Sequence, residues 1–304
     1  MKTALGSILG NLRLAKANRG RNMVLLYHHV GLKRHNDPNV HSVSFSRFCK
    51  QISGLQAYGR FVDEDLFFDD TVSEKPKILL TFDDGFKETL ALVEPFLQRK
   101  GIPSIYFVNQ ALATGRPFWR DILRSIITAD KAQPFLQLYG YNIRPEQFYL
   151  WSKSNECNSH KLSEELLEYA SSQSISFQES QYATLAELVK IPASGLLKLG
   201  NHSSHHYCLA SVPAAVQQEE IMQTHDWLAG NFRQEQISRL FSVPFGGPES
   251  YTRQSVEIVK EAGYKGLLLA GTKDYYRRYA ELSSDSFGLR SYKRFLPKEN
   301  YRVL

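Results

Sequence analysis

Two short stretches put ionisable side chains together at the ends of apolar runs. "KILLTFDD" (Lys77–Asp84) closes on adjacent aspartates, Asp83 and Asp84, followed by Gly85. Side-by-side carboxylates repel and raise each other's pKa, so the pairing is costly unless a turn or a cation relieves it. "NHSSHH" (Asn201–His206) places His202 and His206 four residues apart, a spacing that lets both imidazoles face one point on a turn or helix entry. One carboxylate and two imidazoles form an open site for Zn²⁺ or another divalent cation, with water in the remaining position. The second carboxylate is then free to take a proton from that acidified water and direct it at a carbonyl. Either motif alone is more often a turn or a surface feature. Both at strand ends of one chain favour a metal-assisted hydrolase.

The elements around them support that placement. "MVLLYHHV" (Met23–Val30), "KILLTFDD", "SIYFVN" (Ser104–Asn109), "GLLKLGNHS" (Gly195–Ser203), "RLFSVPFG" (Arg239–Gly246) and "YKGLLLAG" (Tyr264–Gly271) are apolar runs with the length of buried strands. Helical patterns lie between them, over 46–58, 87–99, from about Ser211 to Gly230, and over 253–262. Continuous apolar strands alternating with helices predict a parallel α/β sheet covered on both faces. In α/β barrels the active site lies at the carboxyl ends of the strands, where both motifs fall. Residues 115–192 break the rhythm, with helical stretches at 161–171 and 182–190, and read as a mostly helical insertion. The remainder, 22–304, reads as one interrupted barrel.

Composition narrows the class. With 42% hydrophobic and 12% aromatic residues in 304, the chain has ample core. No run approaches the roughly 18 apolar residues that span a bilayer. Cys49, Cys157 and Cys208 are odd in number and far apart, which argues against a disulfide framework. Residues 1–21 carry five basic and no acidic side chains, with Leu5, Ile8, Leu9 and Leu12 at helical spacing. Gly6, Ser7, Gly10 and Asn11 interrupt the apolar stretch, so it does not read as a signal peptide. It reads as a basic N-terminal helix that packs on the domain or lies on an anionic membrane surface. The tract Lys273–Leu304 adds eight basic against four acidic residues. The net charge of +6 suits phosphate or anionic lipid, whereas no nucleic-acid-binding signature accompanies it.

In order along the chain, "LLYHHV", "LLTFDDGF", "PSIYFV", "LGNHSSHH", "FSVPFGG" and "VKEAGYKG" resemble the polysaccharide deacetylase family, the metal-dependent sugar N-deacetylases of carbohydrate esterase family four. The resemblance covers about 22–110 and 194–295. It implies a distorted (β/α)7 barrel, Asp83 as catalytic base, and Asp84, His202 and His206 as metal ligands. His205 falls at a variable position of the motif and stays outside the metal shell. It also implies a substrate that is an N-acetylated sugar of a cell-surface polysaccharide or its lipid-linked precursor. With no segment that reads as a signal peptide, the expected place of action is the cytoplasmic face of the membrane, where the basic termini would meet lipid phosphate.

Two positions depart from the family pattern. Ser242 stands where an arginine usually orients the base, and no histidine follows His225 to supply the family's late general acid. His28, at the first strand's end, is the candidate proton donor, with a packed strand-end histidine as the alternative. Arg290 in "GLRSYKRF" stands near the place of the missing histidine, as a substrate contact or a structural residue. Backbone amides near Phe245 and Gly246 are candidates for holding an oxyanion, and Trp119 for stacking on a sugar ring or filling a core. Two other readings share the motifs: a catalytically impaired carbohydrate-binding relative, and a hydrolase of another amide or ester.

Overall fold

The apolar runs form strands that lie side by side in chain order. The structure, a computed structural model, describes residues 22–69, 73–177, 180–193, 195–270, 282–286 and 289–297. The barrel strands are β1 (Met23–Tyr27), β2 (Lys77–Phe82), β3 (Ser104–Val108), β4 (Leu197–Asn201), β5 (Ile237–Ser242), β6 (Gly266–Ala270) and β7 (Leu289–Arg294). Each pairs in parallel with the next. The ring closes where Leu25 of β1 bridges Phe295, just beyond β7, through Leu26 N–H to the Phe295 carbonyl at 2.7 Å and Phe295 N–H to the Val24 carbonyl at 2.8 Å. Seven strands thus close on one another, as the distorted (β/α)7 expectation requires. An antiparallel strand, Leu282–Ser286, flanks β7.

Burial explains the alternation. The strands of β1, β2 and β3 are buried at every position, because helices cover the outside while side chains fill the inside. Val24, Leu79, Ile105, Phe107, Leu240, Leu268 and Tyr292, drawn from six of the seven strands, pack in one cluster. The seventh strand, β4, contributes Gly200, where a Cβ would stand 2.3 Å from the Phe107 ring. The missing side chain is the space that Phe107 occupies.

Outside the ring, α1 (Phe45–Tyr58) and α2 (Lys87–Lys100) follow the early strands. Gly101 ends α2 in the left-handed conformation, at φ 61°. Between β3 and β4 come α3 (Trp119–Thr128), α4 (Ala132–Leu138), α5 (Pro145–Trp151) and α6 (Ser159–Ser172). These share a core built on Phe135, Phe148, Leu162 and Leu166. Then α7 (Ala214–Asn231) and α8 (Arg253–Glu261) cover the late strands.

Three boundaries differ from the sequence expectation. The first strand stops at Tyr27, leaving His28 outside it, before a short pairing of His29–Gly31 with Ser42–Ser44. The helix expected from Ser211 begins at Ala214, because a turn of 3₁₀ helix occupies Leu209–Ser211. The helix expected over 182–190 shrinks to Leu185–Leu188, since Tyr182 bridges to Phe86 instead and Thr184 caps the turn. No helix among the described residues is long and apolar enough to cross a membrane. The expected N-terminal helix 1–21, and most of the basic C-terminal tract, lie outside the described residues.

Candidate active site

The four candidate residues with metal or base chemistry meet at the carboxyl ends of β2 and β4. Asp83 follows β2 directly, with its amide donating to the Tyr27 carbonyl at 2.9 Å. Asp84 and Gly85 then both take left-handed backbone angles, φ 68° each. Asp tolerates that region better than most residues, and Gly adopts it freely. The double reversal separates the two side chains: Asp83 turns inward to be 2% exposed, and Asp84 turns towards the histidines.

On the neighbouring loop, Ser203 and His206 are also left-handed, at φ 61° and 60°. Asn201 Oδ1 accepts from Ser203 N–H at 2.9 Å, and Ser203 Oγ accepts from His206 N–H at 3.1 Å. Asn109, at the end of β3, donates to the carbonyls of His202 and Ser203. Together these bonds aim His202 and His206 at one point without a helix. His205 is turned away, its Nδ1 2.6 Å from Glu220 of α7.

His202 Nε2 lies 3.4 Å, and His206 Nε2 3.5 Å, from the same oxygen, Asp84 Oδ1. These contacts are too long for good hydrogen bonds, and Asp84 Oδ1 is buried with no hydrogen-bond partner. Donor atoms of the three residues fall within 4.8 Å of one another. His202 Nδ1 is engaged with the Ser242 carbonyl at 2.8 Å, which fixes the ring and leaves Nε2 for a ligand. A carboxylate and two buried imidazoles, with an orphaned oxygen between them, fit a divalent cation.

Electrostatics agree with that fit. Burial disfavours charge on Asp84, yet contact with His202 and the nearby His28 and His206 hold its carboxyl far below the usual range. Burial, then His202, pushes His206 down to about 3, so it is a neutral imidazole, the form that binds metal. Burial also opposes charge on His202, but Asp83 and Asp84 outweigh it and raise its pKa.

Asp83 has different partners. Arg294, at the end of β7, donates Nη1 to Oδ1 and Nη2 to Oδ2, both at 2.7 Å. Ser242 Oγ donates to Oδ2 at 3.1 Å and accepts from Arg294 Nη2 at 2.9 Å. Burial works against its charge, but Arg294 and then His202 keep Asp83 below the ordinary carboxylate range. Arg294 is a functional residue that sequence reasoning missed. It fills the role left open by Ser242, from another strand. The signal was present: an arginine required by the base was absent from its usual place, and three basic residues stood in the "RSYKR" tract.

A cavity of about 420 Å³ opens above this group, lined among others by His28, Asp83, Asp84, Arg120, Phe245 and Arg294. His28 faces it with a buried, unpartnered Nδ1, its pKa lowered by burial against the pull of Asp84 and Asp83. Phe245, at φ 60°, sets its ring 4.7 Å from the His206 ring, near perpendicular. Gly246 packs so tightly that a Cβ would meet Ala270 N at 2.2 Å. Its amide donates to the Pro244 carbonyl, so of the two amides Phe245 is the one left to hold an oxyanion.

Two candidates are corrected. Trp119 is 3% exposed, donates Nε1–H to the His205 carbonyl at 3.0 Å, and borders a separate depression with Tyr207. It is packed against protein rather than presented to a sugar. Arg290 is exposed and pairs with Gly266 at the amino end of β6, whereas Arg294 pairs with Ala270 at the carboxyl end. Four residues of extended chain, roughly 13 Å, separate it from the site.

The Arg294–Asp83 geometry carries a stability prediction. Arg294→Met leaves Asp83 buried without its counter-charge, which costs about 3–5 kcal/mol. Urea unfolding of Arg294→Met against wild type reads this directly, and an unchanged midpoint would show that the pair is not what holds Asp83.

No curated protein matches the sequence. Among solved structures, the chain is similar to the Streptococcus pyogenes deacetylase PplD in complex with acetate, at 15% identity and a TM-score of 0.58, over 92% of this chain and 93% of that one. It is similar to a de-N-acetylase from Aggregatibacter actinomycetemcomitans at 14% identity and TM-score 0.58, over 92% and 96%. IcaB from Ammonifex degensii matches at 15% and 0.55, over 92% and 94%. At such identities the likeness is one of fold. The sequence profile described as polysaccharide deacetylase, however, matches residues 70–267, well over half the chain and inclusive of Asp83, Asp84, His202 and His206. The chain therefore belongs to the polysaccharide deacetylase family and is a hydrolase of acetyl amide bonds.

Proposed function

We propose that this deacetylase is metal-dependent and removes the N-acetyl group from an amino sugar of a cell-surface polysaccharide or its lipid-linked precursor. The observation that carries the reading is the contrast between two adjacent aspartates. Asp83 has its oxygens bound by Arg294 and Ser242, whereas Asp84 presents an unpartnered oxygen between two imidazoles. A Zn²⁺ or similar cation bound by Asp84, His202 and His206 supplies a Lewis acid that polarises the acetamide carbonyl and acidifies water.

The chain's own residues do the rest. Asp83 stays ionised through its pairing with Arg294 and accepts the proton of the attacking water. Its Oδ2 already accepts from both Arg294 and Ser242, while Oδ1 accepts from Arg294 alone. Each carboxylate oxygen has two lone-pair sites, so Oδ1 is the atom with room for the proton. The water oxygen bonds to the carbonyl carbon, and the Phe245 amide steadies the negative oxygen. When the carbon–nitrogen bond breaks, acetate departs and the proton held by Asp83 passes to the sugar nitrogen, with the neutral imidazole of His28 as the relay. Asp83 and His28 thereby end in the protonation states in which they began.

Metal analysis and acetate release, measured on the same preparations, test these roles. Asp83→Asn keeps metal and loses ~10²–10⁴ in kcat, and His28→Ala keeps metal and loses ~10². His202→Ala loses metal and activity together. Wild-type turnover by Asp83→Asn would remove the base from the scheme.

We place the chain at the cytoplasmic face of the inner membrane, on the strength of the basic residues in 1–21 and of a lipid-linked substrate. Fractionation of cells expressing the full chain recovers it with inner membrane and cytoplasm. Recovery from the periplasm or medium contradicts this placement.

A further inference from the structure

Two cations on the cavity wall take no part in that chemistry. Arg120 of α3 and Lys153, just beyond α5, come from opposite parts of the helical segment and converge on one ring, that of Tyr149. The Arg120 guanidinium carbon lies 4.5 Å and Lys153 Nζ 4.2 Å from its centroid. Arg120 is 3% exposed. Its Nη1 donates to Ser152 Oγ at 2.5 Å, but Nη2 is buried and has no hydrogen-bond partner. Trp119 and Phe245 complete its aromatic surroundings, at 4.8 and 5.5 Å.

Among the described residues no carboxylate pairs with either cation. The contrast with Arg124 is instructive, since it lines the same cavity but pairs with Asp37 at 2.9 Å and with Asp121. Burying a charge without a partner is expensive, and two like charges around one ring compound the cost. Burial first lowers the proton affinity of both; repulsion from Arg120 adds to this at Lys153 and repulsion from Arg124 at Arg120, while the Tyr149 hydroxyl offsets a part of it at each. Contact with aromatic rings offsets a part of this, about 0.5–2 kcal/mol per cation. What the pair lacks is an anion, and the cavity is open for one to arrive.

We propose that Arg120 and Lys153 form an anion subsite of the active-site cavity, holding a phosphoryl group attached to the amino sugar. A phosphate monoester carries about −1.5 to −2 charge and three acceptor oxygens, which matches a vacant Nη2 and two cations that share only the Tyr149 hydroxyl better than one carboxylate does. Position agrees: Phe245 touches the His206 ring on one side and Arg120 on the other, so one aromatic ring separates the anion subsite from the metal ligands. A sugar with its acetamide over Asp84, His202 and His206 therefore carries a neighbouring phosphate to Arg120. The location of the sugar rests on the deacetylase reading, whereas the anion subsite does not.

Calorimetric titration of the metal-loaded full chain with inorganic phosphate tests the subsite without turnover. Wild type binds phosphate. Lys153→Gln, a change at a half-buried position, weakens binding roughly tenfold or more, as expected for loss of a charge-assisted hydrogen bond. Arg120→Gln weakens it likewise, with thermal melting to confirm that it folds. Equal affinity of wild type and Lys153→Gln would overturn the proposal. So would phosphate binding that is lost in Asp84→Asn but kept in Lys153→Gln, which would put the anion on the metal. Glucuronate displacing phosphate as well as an N-acetylhexosamine 1-phosphate does would overturn the phosphoryl assignment. Acetate release from an N-acetylhexosamine 1-phosphate and from its neutral methyl glycoside separates the two readings. Lys153-dependent phosphate binding with no acetate from either sugar removes the deacetylase reading and keeps the subsite. Equal kcat/KM on both sugars, with phosphate affinity unchanged in Lys153→Gln, removes the subsite and keeps the deacetylase.

Discussion

The buried pair of Arg294 and Asp83 is the interaction on which the site depends. A two-pronged arginine–carboxylate contact in a dry environment is geometrically demanding, and here it joins the end of the last barrel strand to the end of the second. The residue after Arg294, Phe295, bonds to β1 and closes the ring. Barrel closure and orientation of the base are therefore one structural event. Ser242 links it to the candidate metal ligands, since its hydroxyl meets Asp83 and Arg294 while its carbonyl holds His202. A displacement of β7 would release the base and loosen the imidazole at once.

Backbone conformation divides the labour between the aspartates. Six non-glycine residues among those described have positive φ; three of them, Asp84, His206 and Phe245, line this cavity and a fourth, Ser203, lies behind it in the histidine loop. Such angles cost of order 1–3 kcal/mol each and persist where the surroundings enforce them. At Asp84 the reversal takes the second carboxylate away from Arg294 and points it between two histidines. Identical side chains thus acquire different partners: a guanidinium that keeps Asp83 charged, and an opening that suits a cation at Asp84. The repulsion expected from the sequence is relieved by sending the two groups to different counter-charges.

The sequence made the apolar strands legible because parallel barrel strands are buried on both sides and read as unbroken hydrophobic runs. It made Asp83, Asp84, His202 and His206 legible because their types and spacing carry chemistry of their own. What stayed hidden depends on contacts distant along the chain. The strand "LRSYKR" has polar residues at four of its six positions, so no periodicity announces it, and its arginine gains meaning only beside Asp83, 211 residues away. Arg290 was the wrong arginine of that tract because strand direction, rather than composition, decides which end reaches the site. Trp119 stayed open between sugar stacking and core packing for the converse reason: an aromatic next to a cavity and an aromatic behind its wall look alike in sequence.

The central claim is that Asp84, His202 and His206 hold a metal while Asp83 stays with Arg294 as the base. The most direct measurement is a crystal structure of the Zn²⁺-loaded protein with anomalous scattering recorded at the zinc edge. The account predicts one strong peak in contact with Asp84 and both histidines, with the Arg294–Asp83 pair intact beside it. A peak bound by Asp83, with Arg294 displaced, or one located away from these residues, would contradict it.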